Sequence, residues 1–477
     1  MRLSRYTRAT TLAVSLVLFP FSVRGADTSA PTDNDPLLQP LVDYQRPDPG
    51  QPLPASEAQF DQMLSLAATQ SPTMREQADT VAQVEASRFR SWVRQMPVIS
   101  ASYSAGAYLQ ANDGGGAANS LTPGGSFSIT LSRPLYHWGG FTAETALGIL
   151  KEKMAQNDAI LAYSRLCLDL RIRYLDLVVD KAQSALYTNE VDFAARRLEK
   201  EKILLGQGQS TTAKVSEFDL EAQSDDVRKR QADADLAHDL AEFRRLTGSH
   251  SFSVEDVPDH IFMPVVDTTN LQSQKQDYEK GGFDRSPEAN GAQLSQDSLD
   301  QQIRINRANQ RPLFNLAASV SEAPYINSTG NGLKFGTIFF AGINGSWMIY
   351  DRDEAFARTN SLLAQQRVVE TKLLDTREQS FNDSASDLDQ IDLGLRALAV
   401  LKRQFTQQLA DYGRIQVLQS SGQTEKTEVD SARSTLLNTR FEILKRQVQV
   451  ANGYYSFLSQ LYRDPALANA PPFTQPR

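Results

Sequence analysis

The chain is written twice. Ser71-Pro72 recurs as Ser286-Pro287 and Pro97 as Pro312, both at an offset of 215 residues. Leu135-Tyr136 answers Ile349-Tyr350, Gly208-Gln209 answers Gly422-Gln423, Val215 answers Val429 and Phe243 answers Phe457, all at an offset of 214. One residue of drift over a whole half is a single loop deletion. Each half reads as helix, strand, loop, strand, very long helix, tight turn, medium helix. Self-similarity on this scale means one supersecondary unit used twice, each copy burying its apolar face against the other. The units are expected at 57–248 and 286–463, with an inter-repeat linker or equatorial segment over 249–285 and a tail over 464–477.

The strands show strict alternation. Ile99, Ala101, Tyr103 and Ala105 interleave with Ser100, Ser102 and Ser104; after a loop rich in glycine and asparagine (Asn112 to Gly125), Phe127, Ile129 and Leu131 interleave with Ser128, Thr130 and Ser132. The second half carries Phe314, Leu316, Ala318 and Val320 against Asn315, Ala317 and Ser319, then Phe335, Thr337, Phe339, Ala341 and Ile343. Period two predicts strands at about 98–110, 125–135, 313–321 and 335–349, the first pair with one apolar and one small polar face. Tyr108, Tyr136, Trp138, Trp347 and Tyr350 stand toward strand ends, where a membrane girdle would sit.

From Gly140 to Gly206 the chain has no proline, and a helix of that length spans roughly 100 Å. Leu168, Ile172, Leu175, Val179, Ala182 and Leu186 step alternately by four and three, and Leu147, Met154 and Leu161 extend the column upstream by sevens. That is a coiled-coil seam. The matching helix is expected at about 352–419. The helix after each glycine turn is shorter, and the helix before each strand pair (57–95 and 287–309) makes up the length.

Arg2, Arg5 and Arg8 precede an apolar run from Leu12 to Val23, the pattern of a secretory signal peptide over 1–25; about a dozen apolar residues fall short of the ~20 of a spanning helix. A proline-rich segment follows over 26–56. Removing 1–25 takes four arginines and no acid, so the formal charge moves from −8 to −12, which argues against nucleic-acid binding. Cys167 is the single cysteine, excluding an internal disulfide and a cysteine metal cluster. The four histidines are scattered and no HExxH, CxxC or nucleophile-elbow pattern occurs, so neither enzyme activity nor a cofactor or metal is expected. Asp113-Gly114-Gly115-Gly116 lacks the ending of a phosphate loop, and Asn327-Ser328-Thr329 reads as loop chemistry.

Beyond the leader no apolar run reaches spanning length, so membrane contact would have to come through a β-barrel. Four strands cannot close one. Two copies would give eight strands with a side-chain-filled interior; three would give twelve, wide enough for a passage. The fold class expected is therefore α+β and mostly helical: a duplicated helix-strand-strand-long helix-helix unit forming a trimeric transmembrane β-barrel on a long α-helical coiled-coil barrel.

The junctions Arg133-Pro134-Leu135-Tyr136-His137-Trp138-Gly139-Gly140 and Trp347-Met348-Ile349-Tyr350-Asp351, with the turns at Gly208 and Gly422 followed by Val215 and Val429, give the chain a resemblance to the TolC-like outer-membrane efflux and secretion ducts from about Glu57 to Tyr462. It departs from that family at His137-Trp138, where an acidic residue is usual, at Arg352-Asp353, where a glycine pair is usual, and in lacking an N-terminal lipid-anchor cysteine. The resemblance implies a homotrimer in the outer membrane of a Gram-negative bacterium with a large periplasmic portion. It also implies contact with outer-membrane lipid, a periplasmic adaptor (membrane fusion protein), and an inner-membrane pump or ABC exporter that powers tripartite efflux or type I secretion. A structural or adhesive coiled-coil protein would explain the heptads but not two strand pairs at equivalent places; an adaptor would lack the duplication.

Three groups of residues are candidates for function. Gln207, Gly208, Gln209, Ser421, Gly422 and Gln423 would form the adaptor-docking tip, since glycine tolerates the positive φ of a tight reversal. Pro134, Tyr136, Trp138, Gly139, Gly140, Trp347, Tyr350 and Asp351 would form the strand-to-helix junctions. The resemblance also implies a periplasmic constriction with two acids three residues apart. Glu428 matches the first, but the second falls on Ser431, which leaves Asp430, rotated by about 200°, in reserve.

Overall fold

The computed structural model describes residues 55–110, 120–326 and 333–470; the expected signal peptide, nearly all of the proline-rich segment, and the loop motifs at Asp113 and Asn327 lie outside the described residues. The fold is mostly helical with one antiparallel sheet. In chain order it comprises α1 (Ala55–Gln70), α2 (Pro72–Val93), β1 (Val98–Gln110), β2 (Ser120–Tyr136), α3 (Gly140–Gly206), α4 (Thr212–Thr247), α5 (Thr268–Asp277), α6 (Pro287–Asn309), β3 (Leu313–Ile326), β4 (Leu333–Ser346), α7 (Glu354–Ser420) and α8 (Lys426–Gln460). The order helix, strand, strand, long helix, shorter helix occurs twice, and α3 and α7 are each 67 residues long.

The repeated Ser-Pro marks a helix start in both halves. Proline has no N–H and disfavours helical backbone in the residue before it. Ser71 and Ser286 accordingly hold ψ of 134° and 154°, and the single helix expected over 57–95 is split into α1 and α2. Ser286 also caps α6, its hydroxyl accepting from Ala289 N at 3.2 Å.

α3 packs on α2, α4, α6 and α8. The seam read from the sequence is therefore only part of its buried surface. Leu175 and Leu186 are buried, but Leu168 and Val179 are half-buried at the rim, while Tyr163, Leu166, Cys167, Leu170, Leu177 and Val178 are fully enclosed. A heptad stripe presupposes one neighbour; four neighbours widen the buried arc.

The main core gathers α1, α3, α4 and α8 around Phe60, Met74, Leu170, Phe243, Phe252 and Val448. The stretch 249–285, expected as a linker or equatorial segment, contributes to it: Phe252, Val257 and Ile261 are buried there, and Leu271, Tyr278 and Phe283 form a second cluster against α7 and α8. The tail docks as well. Asp464 is paired with Arg171 of α3 in a buried ion pair, and the Arg171 guanidinium stands 4.4 Å over the Tyr455 ring. Replacing only one partner would leave an uncompensated buried charge.

The sheet has the order β1-β2-β3-β4, antiparallel throughout, so the β2–β3 pairing joins the two halves and β1 and β4 are open edges. β2 begins five residues before its expected start, because Ser120 to Gly125 stay in register with β1 despite their glycines and proline. β3 continues to Ile326, whereas β4 ends at Ser346, leaving Trp347 to Tyr350 beyond the strand. α7 starts at Glu354 rather than 352 because Arg352 and Asp353 have φ of 58° and 61°, outside helical space.

Candidate functional site

The pairing register turns alternation along each strand into two faces across four strands. Ile99, Leu131, Ala318 and Ala341 form one row; Ala101, Ile129, Val320 and Phe339 form the next. Residues directly opposite in an antiparallel ladder point to the same side, so these rows make a continuous apolar face. It is exposed: Ile99 is 74% and Phe339 77% accessible. Soluble monomers rarely expose a contiguous apolar patch beyond a few hundred Å². The opposite face carries Ser100, Thr130 and Ser319 in one row and Ser102, Ser128 and Ser321 in another. There the hydroxyls pair across strands, Ser102 with Ser128 at 2.7 Å and Ser104 with Ser126 at 2.6 Å. On β4 that face holds Ile338 and Phe340, both exposed.

Strands of 13 to 17 residues extend at least ~44 Å at the usual rise. A strand crossing a ~30 Å hydrocarbon layer at a tilt needs about 9–11 residues. No helix among the described residues is long and apolar enough to cross a membrane.

Each strand-to-helix junction turns through two consecutive left-handed residues, Trp138-Gly139 in the first half and Arg352-Asp353 in the second. In the second, the Asp351 carboxylate accepts from Ala355 N at 2.9 Å. In the first, Gly140 N donates to His137 O at 2.7 Å and the imidazole of His137 is buried. Gly140 is required sterically: a Cβ there would lie 2.5 Å from His137 Nδ1 and 3.1 Å from Ala308 Cβ. A bulge between Pro134 and Tyr136 interrupts the β2–β3 ladder before its last pair, Tyr136 with Phe314, as expected where proline cannot donate. Trp138 Nε1 donates to Pro312 O at 2.9 Å and Trp347 Nε1 to Gln310 O at 3.0 Å, so both indoles hold the segment linking α6 to β3. The acceptors are backbone carbonyls, which residue types do not signal. Tyr136 packs against Trp138, and Tyr350 is exposed.

At the far ends of α3 and α7 the two reversals have the same geometry. Gly208 N donates to Leu205 O and Gln209 N to Leu204 O; Gly422 N donates to Gln419 O and Gln423 N to Leu418 O. With φ of 73° and 72° at the glycines, both are Schellman caps. Gln207, Gln209, Ser421 and Gln423 are exposed. The two hairpins are tied together by Lys200 to Glu425 and by Arg196 to Asp430 at 3.3 Å. Asp430 thus lies against α3, while Glu428 is exposed on the first turn of α8 and accepts from the Thr424 hydroxyl. Midway along the hairpin, burial pushes the Asp180 carboxyl up to about 7, helped by a hydrogen bond with Asp239 and by the charges of Asp239, Asp176 and Asp235.

No family model matches the chain, and no curated protein matches it. Solved structures do. The Campylobacter jejuni CmeC outer membrane channel superposes with a TM-score of 0.64 at 12% identity, over 86% of this chain and 88% of that one. The outer membrane protein VceC from Vibrio cholerae gives 0.61 at 12%, over 85% and 96%. The open state of the Neisseria gonorrhoeae MtrE outer membrane channel gives 0.62 at 12%, over 84% and 88%. At these identities the likeness is one of fold.

Proposed function

We propose, proceeding from a fold shared with TolC-like outer-membrane channels, that this chain is the outer-membrane channel subunit of a tripartite efflux or type I secretion system. The observation that carries the reading is the four-stranded sheet with a continuous apolar face, an opposite face lined by hydroxyls on β1 to β3, and two open edges. Open edges are not tolerated in lipid, and four strands cannot close. Three duplicated chains pairing β4 of one with β1 of the next give twelve strands, apolar side to lipid and hydroxyls to the lumen. α3, α4, α7 and α8 of the three chains continue the wall into the periplasm. A purely structural coiled-coil role leaves the apolar face without a purpose. Light scattering of the detergent-purified protein, corrected for bound detergent, should give about three chains; a stable monomer would refute barrel and duct together.

The glycine caps are the adaptor-docking tip, and an inner-membrane pump or ABC exporter supplies the energy. Bulky replacements of Gly208 and Gly422 should abolish export with trimers intact, and unchanged export would remove docking from this tip. Glu428, repeated three times at the tapered end, is the lumenal constriction; Asp430 has its charge engaged by Arg196. Like charges at close range attract cations. Glu428→Gln should weaken cation preference in planar bilayers and Asp430→Asn should not, whereas equal responses would move the constriction elsewhere.

A further inference from the structure

The apolar face of the sheet carries one arginine near its helix-side end. Arg133 shares a row with Leu316 and Ile343, just below the row of Leu131, and is exposed. Its guanidinium borders apolar side chains there and is open to an anion. Toward the helices, five residues before the Leu316 that pairs with Arg133, Arg311 is presented over the Trp138 ring at 5.1 Å. Its backbone is held in place, because Gln310 O and Pro312 O on either side accept from the two junction indoles. Trp138 packs in turn on Tyr136, which closes the β2–β3 ladder opposite Phe314, two residues along β3 from Leu316. Among the described residues no carboxylate pairs with Arg133 or Arg311.

We propose that Arg133 and Arg311, on either side of Tyr136, Trp138 and Trp347, bind the phosphate headgroups of anionic glycerophospholipids at the helix-side rim of the barrel. This rests on the outer-membrane reading, under which the helices stand in the periplasm and the rim meets the periplasmic leaflet. Guanidinium pairs bidentately with phosphate oxygens from either source. Two features select a lipid over free phosphate: indole and phenol rings settle at the headgroup level, and Leu316 and Ile343 beside the charge, with Leu131 in the next row, offer the acyl chains an apolar wall. Each arginine near an anionic lipid surface contributes about fivefold in affinity.

Two of the three tryptophans stand at this rim, so their fluorescence reports the site. The full-length protein in vesicles of dibrominated phosphatidylcholine is titrated with unbrominated phosphatidylglycerol or unbrominated phosphatidylcholine. Phosphatidylglycerol should relieve quenching at several-fold lower mole fraction. R133Q/R311Q should bring the two lipids to parity, and R133K/R311K should retain most of the preference. Parity in the unaltered protein, a preference that survives R133Q/R311Q, or one abolished by millimolar inorganic phosphate would each overturn the lipid site. No quenching by brominated lipid at all would overturn the outer-membrane reading beneath it.

Discussion

Ile129 and Thr130 are neighbours in β2 that face opposite sides of the sheet, so one substitution placed at each in turn separates the two faces at constant depth. Ile129 sits mid-band in the row Ala101, Ile129, Val320, Phe339; Thr130 sits in the row Ser100, Thr130, Ser319, Phe340. A lysine on the lipid side of a membrane strand near mid-bilayer costs about 2–4 kcal/mol, whereas lumenal substitutions are tolerated. If three chains close one barrel, the cost per assembly is about 6–12 kcal/mol, each 1.4 kcal/mol being tenfold in an equilibrium. Ile129→Lys should therefore lower the assembly equilibrium of heat-resistant oligomers in phospholipid vesicles by at least about ten-thousandfold, while Thr130→Lys assembles and shifts the open channel toward anion preference. Folding yield by gel shift and reversal potential in planar bilayers read the two effects. Equal losses from both substitutions, or a greater loss from Thr130→Lys, would refute the assignment of faces.

Glycine substitutions at the turns should separate two causes. Gly140→Ala drives a methyl into His137 and Ala308 and should cost about 1–3 kcal/mol, partly recovered in the pair with His137→Ala; Gly208→Ala meets open space and should cost about 1–2 kcal/mol through its positive φ alone, both measured as shifts in urea midpoint. The raised carboxyl of Asp180 should make stability fall as pH rises. The unfolded chain releases this proton near the ordinary value of 3.8 and the folded chain only near 7, so the contribution is complete below the first and lost on passing the second. Asp180→Asn should flatten the urea midpoint across that window, and an unchanged slope would show that Asp180 and Asp239 do not share the proton.

Much of the fold was legible because its signals are local. Side chains alternate along a strand with period two, so the phase of Ala101, Ile129, Val320 and Phe339 is readable before any pairing is known, and the register aligns them in one row. Gly208 and Gly422 announce tight reversals because few other residues accept their φ. The candidate tip and junction residues could be named for the same reason.

What remained hidden depends on partners distant in sequence. The acceptors at Gln310 and Pro312 are carbonyls that every residue possesses, so nothing in the chain marks them for Trp347 and Trp138. Arg352 and Asp353 occupy left-handed backbone where sequence favours glycine, a local cost of order 1–3 kcal/mol each that the surrounding junction must offset. The capture of 249–285 and of Asp464 by the core, and the separation of Asp430 from Glu428 through Arg196, came only from packing α3 against several helices at once. Sequence determined which elements exist and which faces they own, since backbone periodicity and turn chemistry act over a few residues. Tertiary structure decided which charges are engaged, which glycine is sterically required and how α3 shares its surface, because those outcomes depend on contacts between chain segments far apart in sequence.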